Sequence, residues 1–396
     1  MPLHYGKGNQ VTDAIAPRDA VDLTRDLVQI RSINPPGDEL PVAERLAGAM
    51  RAFGLTIELD LLAPNRANLI GRLPGSGAGH LVFTGHLDVV PPGEQPWNHE
   101  PFGADLLDGR LYGRGGADMK GGVAAMAVAL GILKQQGFKP SADVILAATA
   151  GEEAGMLGAS AMVERRSLDG AAYLVVGEPT DLDVFIAEKG VLWVTVRALG
   201  RTAHGSMPEL GSNAIQAISG LVEQLEPYPF DFRESASLGK PTLSPNVIRG
   251  GNKTNVVPDV CEISLDLRTV PGQDHQAILS EIRRLAGEAA EKFGARIEIE
   301  IENDKAPLET DPEERLVGDT VSSVEQVCGR KPHVGGVSYG TDAACLGPGF
   351  NIPMVICGPG SQAMAHQPDE YVETLQIIQA TEIYADLARR LLGDGV

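Results

Sequence analysis

Residues 81–93 read LVFTGHLDVVPPG: a short apolar run, Leu81 to Thr84, passes at once into a glycine, an imidazole at His86 and a carboxylate at Asp88. The run has the length of a buried strand bounded by turn residues. The same grammar recurs along the chain. Glu152 and Glu153 follow the run Val144 to Ala148, Glu178 follows Ala171 to Val176, and His366 lies in a Gly-rich loop after Pro353 to Cys357. In open α/β sheets, ligands bind beyond the carboxyl ends of the strands. Four polar segments are therefore expected at one edge of one sheet.

The surrounding sequence fits that frame. Helical stretches are expected at Ala20 to Ile30, Leu40 to Phe53, Gly121 to Gln136 and Met156 to Arg166, interleaved with a further strand at Thr56 to Leu61. Such alternation is the signature of an α/β sheet. After Glu188 the pattern changes. Val191 to Leu199 alternates apolar and polar residues, as in a sheet with one solvated face. A helix (Asn213 to Leu225), two strands (Thr242 to Ile248, Val260 to Arg268), a second helix (Gln276 to Phe293) and a strand reading RIEIEI (Arg296 to Ile301) follow. The order β-α-β-β-α-β is the ferredoxin-like split unit. The expected organisation is an α/β domain in two parts, 1–188 and 303–396, interrupted by an inserted α+β domain at 189–302. The second part closes on an amphipathic helix, Thr374 to Leu392.

Bulk composition narrows the partners. The 396 residues carry 53 Asp plus Glu against 33 Lys plus Arg, a formal net charge of −20. That surplus argues against nucleic acid or an anionic membrane surface, both of which need basic patches. Cys261, Cys328, Cys345 and Cys357 are scattered and form no CxxC pair, so they are expected to be reduced and mostly buried. The N-terminal MPLHYGKGNQ has no apolar signal core. The longest stretch free of both charge and strong polarity, Gly121 to Leu133, is too short to span a bilayer. A cytoplasmic protein is expected.

Gathering three or four carboxylates and two imidazoles in one place costs severe repulsion and desolvation unless the charge is neutralised. A pair of divalent cations is the simplest remedy. His86 is then a ligand, and Asp88, two residues on, is its orienting partner. In LYGRGGADMKGG (111–122) five glycines and Arg114 surround Asp118, whose two oxygens are able to reach two cations; an N-cap role stays open. A phosphate loop is excluded, because the spacing is not GxxxxGK[ST] and no strand feeds directly into the glycines. In AGEEAG (150–155), Glu153 is read as ligand and Glu152 as general base. GEPT (177–180) adds Glu178. His204, in RTAHGSMPE (201–209), sits in the inserted domain where it is able to reach a neighbouring site. His4, His80, His99, His275 and His333 are read as structural.

Taken together and in order, HLD, GRGGADMKGG, GEE, GEP and AHQPDEY resemble the dinuclear zinc aminoacylase, acetylornithine deacetylase and succinyl-diaminopimelate desuccinylase family, with its related carboxypeptidases and dipeptidases. The resemblance covers nearly the whole chain. It implies a zinc-peptidase-like mixed-sheet catalytic domain with an inserted ferredoxin-like dimerisation (lid) domain. It further implies that His86 and Glu178 hold one metal, Glu153 and His366 the other, and that Asp118 bridges them. Glu152 would move the proton, and His204 would stabilise the oxyanion, often in the partner's site of a homodimer. Asn255, Arg268 and the Gly340-Thr341 backbone would hold the substrate's carboxylate. Ligands without thiolate suit Zn2+, Co2+ or Mn2+. The strings YGTDA and GPGS look most like acetylornithine deacetylases, which points to an N-acyl amino acid or dipeptide as substrate.

Overall fold

The computed structural model describes residues 14–393; the polar N-terminal lead-in, with His4, lies outside them. The chain forms two compact units. One comprises the residues up to Ile186, Thr310–Gly335 and the chain from Thr341 on, and the other Ala187–Glu309 with Gly336–Gly340. Along the first part run β1 (Thr56–Ala63), β2 (Arg66–Leu73), β3 (Gly77–His86), β4 (Asp105–Leu107), β5 (Arg110–Tyr112), β6 (Ala142–Thr149), β7 (Ala171–Val176) and β8 (Val184–Glu188). The second unit holds β9 (Gly190–Leu199), β10 (Thr242–Gly250), β11 (Val260–Thr269) and β12 (Arg296–Lys305). Two short strands follow, β13 (Leu308–Glu309) and β14 (Val334–Val337), and then β15 (Met354–Ile356) and β16 (Tyr371–Glu373).

The first unit is built on a mixed sheet in the order β1-β2-β6-β3-β7-β15-β8. β3 runs parallel to both β6 and β7, and β15 parallel to β7, while β1 and β2 are antiparallel. Register sets the strand ends level: His86 pairs with Thr149, Thr84 with Val176, and Val176 with Ile356. The loops after β3, β6, β7 and β15 thus leave the same edge, as expected from the strand-then-ligand pattern. β6 is buried along nearly its whole length, which is what a strand covered on both faces requires.

Helix Gly121–Gln135 is buried from Gly121 through Leu133 and packs against helices Asp19–Val28 and Thr374–Leu392. Its Gly and Ala residues permit close approach. A Cβ on Gly122 would lie 2.2 Å from the carbonyl oxygen of Gly177, so the residue ahead of Glu178 packs directly on the helix start. Counted with the turn before it, Gly116–Gln135 is long and apolar enough to cross a membrane, which corrects the length argument. It is nevertheless 94% buried within the protein, the placement of a core helix.

Strands β2 and β8 and helix Arg315–Cys328 escape sequence reading. RANLIGRL mixes two arginines, an asparagine and a glycine into a strand buried by its neighbours rather than marked by its own periodicity. A second correction concerns the glycines of 113–122. β5, only three residues long, does run directly into Gly113, and it pairs with β4 and β16.

The second unit is the ferredoxin-like fold. Its four strands are antiparallel in the order β10-β11-β9-β12, with helices Ala214–Leu225 and His275–Glu291 supplying the apolar layer. Strand β11 alternates strictly, burying Cys261, Ile263, Leu265 and Leu267. Asn213 and Asp274 cap the two helices by accepting main-chain N–H groups.

Candidate metal centre

His86, the last residue of β3, is 1% exposed. Its Nδ1 lies 2.9 Å from the main-chain oxygen of Asp88, a contact that requires Nδ1 to donate and leaves the Nε2 lone pair facing outward from the sheet edge. Nε2 is 3.0 Å from Oδ1 of Asp118 and 3.5 Å from Oε1 of Glu178. On the other side of Asp118, Oδ2 lies 3.3 Å from Nε2 of His366, which is 3.1 Å from Oε1 of Glu153. Two donor sets therefore exist, each with one imidazole and one glutamate, and they share the two oxygens of Asp118.

The carboxylate of Asp88 does more than face His86. It stands 3.7 Å from Nδ1, but its nearer partners are the backbone after β6. Oδ1 accepts the N–H of Gly151 at 3.0 Å and of Glu152 at 3.2 Å; Oδ2 accepts that of Glu153 at 3.2 Å and the Asn34 side-chain amide at 2.8 Å. Asn68 accepts the Ala150 N–H at 3.0 Å, fixing the same loop from its other side. Gly151 is left-handed (φ 79), so consecutive N–H groups turn inward toward one anion.

Asp118 sits in an irregular turn with extended backbone (φ −118, ψ 92), and no side chain caps the helix that follows. Its carboxylate is spent on the two histidines, not on an N-cap. Glu370, fully buried, braces this turn, accepting the N–H groups of Gly115, Ala117 and Asp118 at 3.0–3.1 Å. Its other oxygen meets Nη1 of Arg114 at 2.5 Å. His366 itself is held at φ 63, a left-handed backbone that costs a non-glycine residue roughly 1–2 kcal/mol and that is worth retaining where it aims the imidazole. Sequence reading missed Asn34, Asn68 and Glu370; Glu370 stands inside the quoted AHQPDEY, but nothing local marks it as buried.

The electrostatics describe a pocket short of positive charge. Burial pushes the Glu152 and Glu178 carboxyls well above their ordinary range, with neighbouring carboxylates adding to the effect. Burial alone would lower His86, yet Asp118, Glu178 and Asp88 together raise it well above normal. Hydrogen bonds to Asp118 and Glu153 push His366 up to about 10. Burial would raise Asp118, but the two histidines hold it below the usual carboxylate range. His86, Asp118 and Glu153 offer ligand atoms within 4.8 Å of one another. Imidazole and carboxylate donors converging this closely, with protons standing in for cations, fit divalent metal ions.

In the second unit, His204 and Asn255 lie on exposed segments that are pinned together: His204 bridges Val256, and the Gly205 N–H donates to the Asn255 oxygen at 2.8 Å. The Ser206 N–H donates to Nδ1 of His204 at 3.2 Å, so the ring proton resides on Nε2. Arg268 is engaged by Asp266 at 2.9 and 3.1 Å. Gly340 belongs to this unit, whereas Thr341, buried, belongs to the first, two residues ahead of the helix Ala343–Phe350.

Comparison with known proteins agrees with this geometry. Residues 82–390 match the model of peptidase family M20/M25/M40. A probable succinyl-diaminopimelate desuccinylase of Staphylococcus epidermidis is 28% identical over 96% of this chain and 99% of its own length. The acetylornithine deacetylase of Vibrio cholerae is 31% identical over 85% and 87%. Among solved structures, the aminopeptidase PepT of Bacillus cereus superposes with a TM-score of 0.79 at 22% identity, covering 96% of this chain and all of that one. A dinuclear metal binding peptidase of Bacillus subtilis reaches 0.75 at 17%, over 95% and 98%. The chain is a metallohydrolase of amide bonds and belongs to peptidase family M20/M25/M40.

Proposed function

We propose that this protein removes the acyl group of an N-acyl-L-amino acid, as an acetylornithine deacetylase does. The carrying observation is the pair of donor sets joined through Asp118 with Glu152 beside them. In this reading His86 and Glu178 would hold one divalent ion and Glu153 and His366 the other, with Asp118 shared between the two sets. Zn2+ suits the donors, with Co2+ or Mn2+ as alternatives. Bound there, such ions lower the pKa of water and polarise a carbonyl.

The chain's own groups move the proton. Glu152 accepts it as water oxygen bonds to the carbonyl carbon, and gives it to the amine nitrogen as the C–N bond breaks. The products are a carboxylic acid and a free amine. His204, with its proton on Nε2, is suited to donate to the oxyanion that forms between these steps. We assign it that role across a homodimer formed through the inserted domain. Asn255, Arg268 and the Gly340-Thr341 backbone are assigned to the substrate's carboxylate. Residence in the cytoplasm accords with the bacterial relatives.

Desuccinylation is the second reading, supported by the Staphylococcus relatives that match 95–96% of the chain. A panel of N-acetyl, N-succinyl and dipeptide substrates, assayed with added Zn2+ or Co2+, separates these activities. Preferential turnover of N-acetyl amino acids supports the first. Absence of turnover on the whole panel refutes both.

A further inference from the structure

We infer that Glu370 is the positioning residue of the metal centre: one buried carboxylate fixes both the turn that carries Asp118 and the loop end that carries His366. The inference rests on the ligand assignment above. Gly115 is left-handed (φ 85) and Asp118 extended, so the N–H groups of Gly115, Ala117 and Asp118 converge on one point. Converging main-chain donors form an anion site, and Oε1 of Glu370 fills it. Oε2 pairs with Arg114, and the main-chain oxygen of Glu370 accepts the Gly113 N–H at 2.8 Å. Backbone from 113 to 118 is thus bound to a single residue.

Glu370 follows His366 by four positions, and the residue between them and the turn is tied down as well. Asp369 accepts the main-chain N–H groups of Asn98 and His99 at 2.7 and 3.1 Å and the Asn98 amide at 2.6 Å. The loop that presents His366 therefore ends in two adjacent clamps. Of these, only Glu370 also holds the turn of the bridging carboxylate. Asp118 is the sole ligand shared by both donor sets, so an error in its placement is felt at both. Outer partners of this kind typically contribute a factor of about 10–100 in metal affinity.

The test uses Co2+ as probe on the full chain, with affinity read by chelator competition and geometry by visible absorption. Glu370→Gln presents an amide N–H to Arg114, and Glu370→Asp keeps the charge but is one methylene short of the three N–H groups. Both are expected to bind Co2+ roughly 10–100-fold more weakly with an altered spectrum. Parental affinity and spectrum in a folded Glu370→Asp, whatever its melting temperature, would overturn the inference, as would failure of Glu370→Asp to fold, since the group would then be merely structural. Asp118→Ala runs alongside. If it too binds Co2+ like the parent, the ligand assignment falls first; if it alone loses Co2+, only the role of Glu370 falls.

Discussion

Oδ2 of Asp88 accepts the main-chain N–H of Glu153 at 3.2 Å. The residue that follows one imidazole on β3 therefore holds the backbone of a glutamate that follows β6. Neighbouring strands place the groups within reach, and a buried carboxylate sets their orientation. Glu370 repeats the device for Asp118. Precision at the sheet edge comes from main-chain donors gathered around two anions.

Replacing Asp88 by Ala removes the acceptor for three N–H groups and the Asn34 amide. Each buried group left unpaired costs about 1–3 kcal/mol. Chemical denaturation is expected to show a stability loss of several kcal/mol, and Asp88→Asn an intermediate one. A loss no larger than that of an exposed substitution would show that the loop stands without it.

Glu152→Gln keeps the volume of the side chain but cannot accept the water's proton. Turnover should fall by about 10²–10⁴-fold, while bound metal, read by elemental analysis, stays at the parental level. Activity within a few-fold of the parent would assign the base elsewhere.

The five ligands should separate by stoichiometry. Asp118 faces both histidines, whereas the carboxylates paired with His366 among the described residues are Glu153 and Asp118. Asp118→Ala is expected to retain less than one ion per chain and His366→Ala close to one, by equilibrium dialysis with Zn2+. Equal retention by the two variants would argue against a shared bridging position.

Gly122 and Gly48 form a matched pair. A methyl at Gly122 meets the Gly177 oxygen, one residue from Glu178, whereas one at Gly48 meets nothing within 4 Å. Gly122→Ala should cost roughly 1–3 kcal/mol and lower metal occupancy. Gly48→Ala, inside the helix Leu40–Ala52, should gain about 0.5–1 kcal/mol. Thermal melts of both proteins check the sign of each change.

Much of this molecule is legible in its sequence. His86, Glu153, Glu178 and His366 announce themselves because each follows an apolar run, and parallel register then forces them to one edge. The strict alternation of β11 likewise exposes the ferredoxin-like unit. What stays hidden depends on distant partners. Glu370 reaches the Ala117 N–H across 253 residues, and no local pattern distinguishes it from the solvated acids among the 53 Asp and Glu residues of the chain. Strand β2 is hidden for a related reason: its burial is imposed by β1 and β6, while Arg66, Asn68 and Arg72 mask the apolar signal.

Anomalous scattering at the zinc edge, from crystals of active protein grown with Zn2+, addresses the shared role of Asp118 most directly. Two peaks are expected, one beside His86 and Glu178 and one beside His366 and Glu153, each against its own oxygen of Asp118. Protein that still hydrolyses amides after exhaustive chelation, with no peak at Asp118, would contradict it.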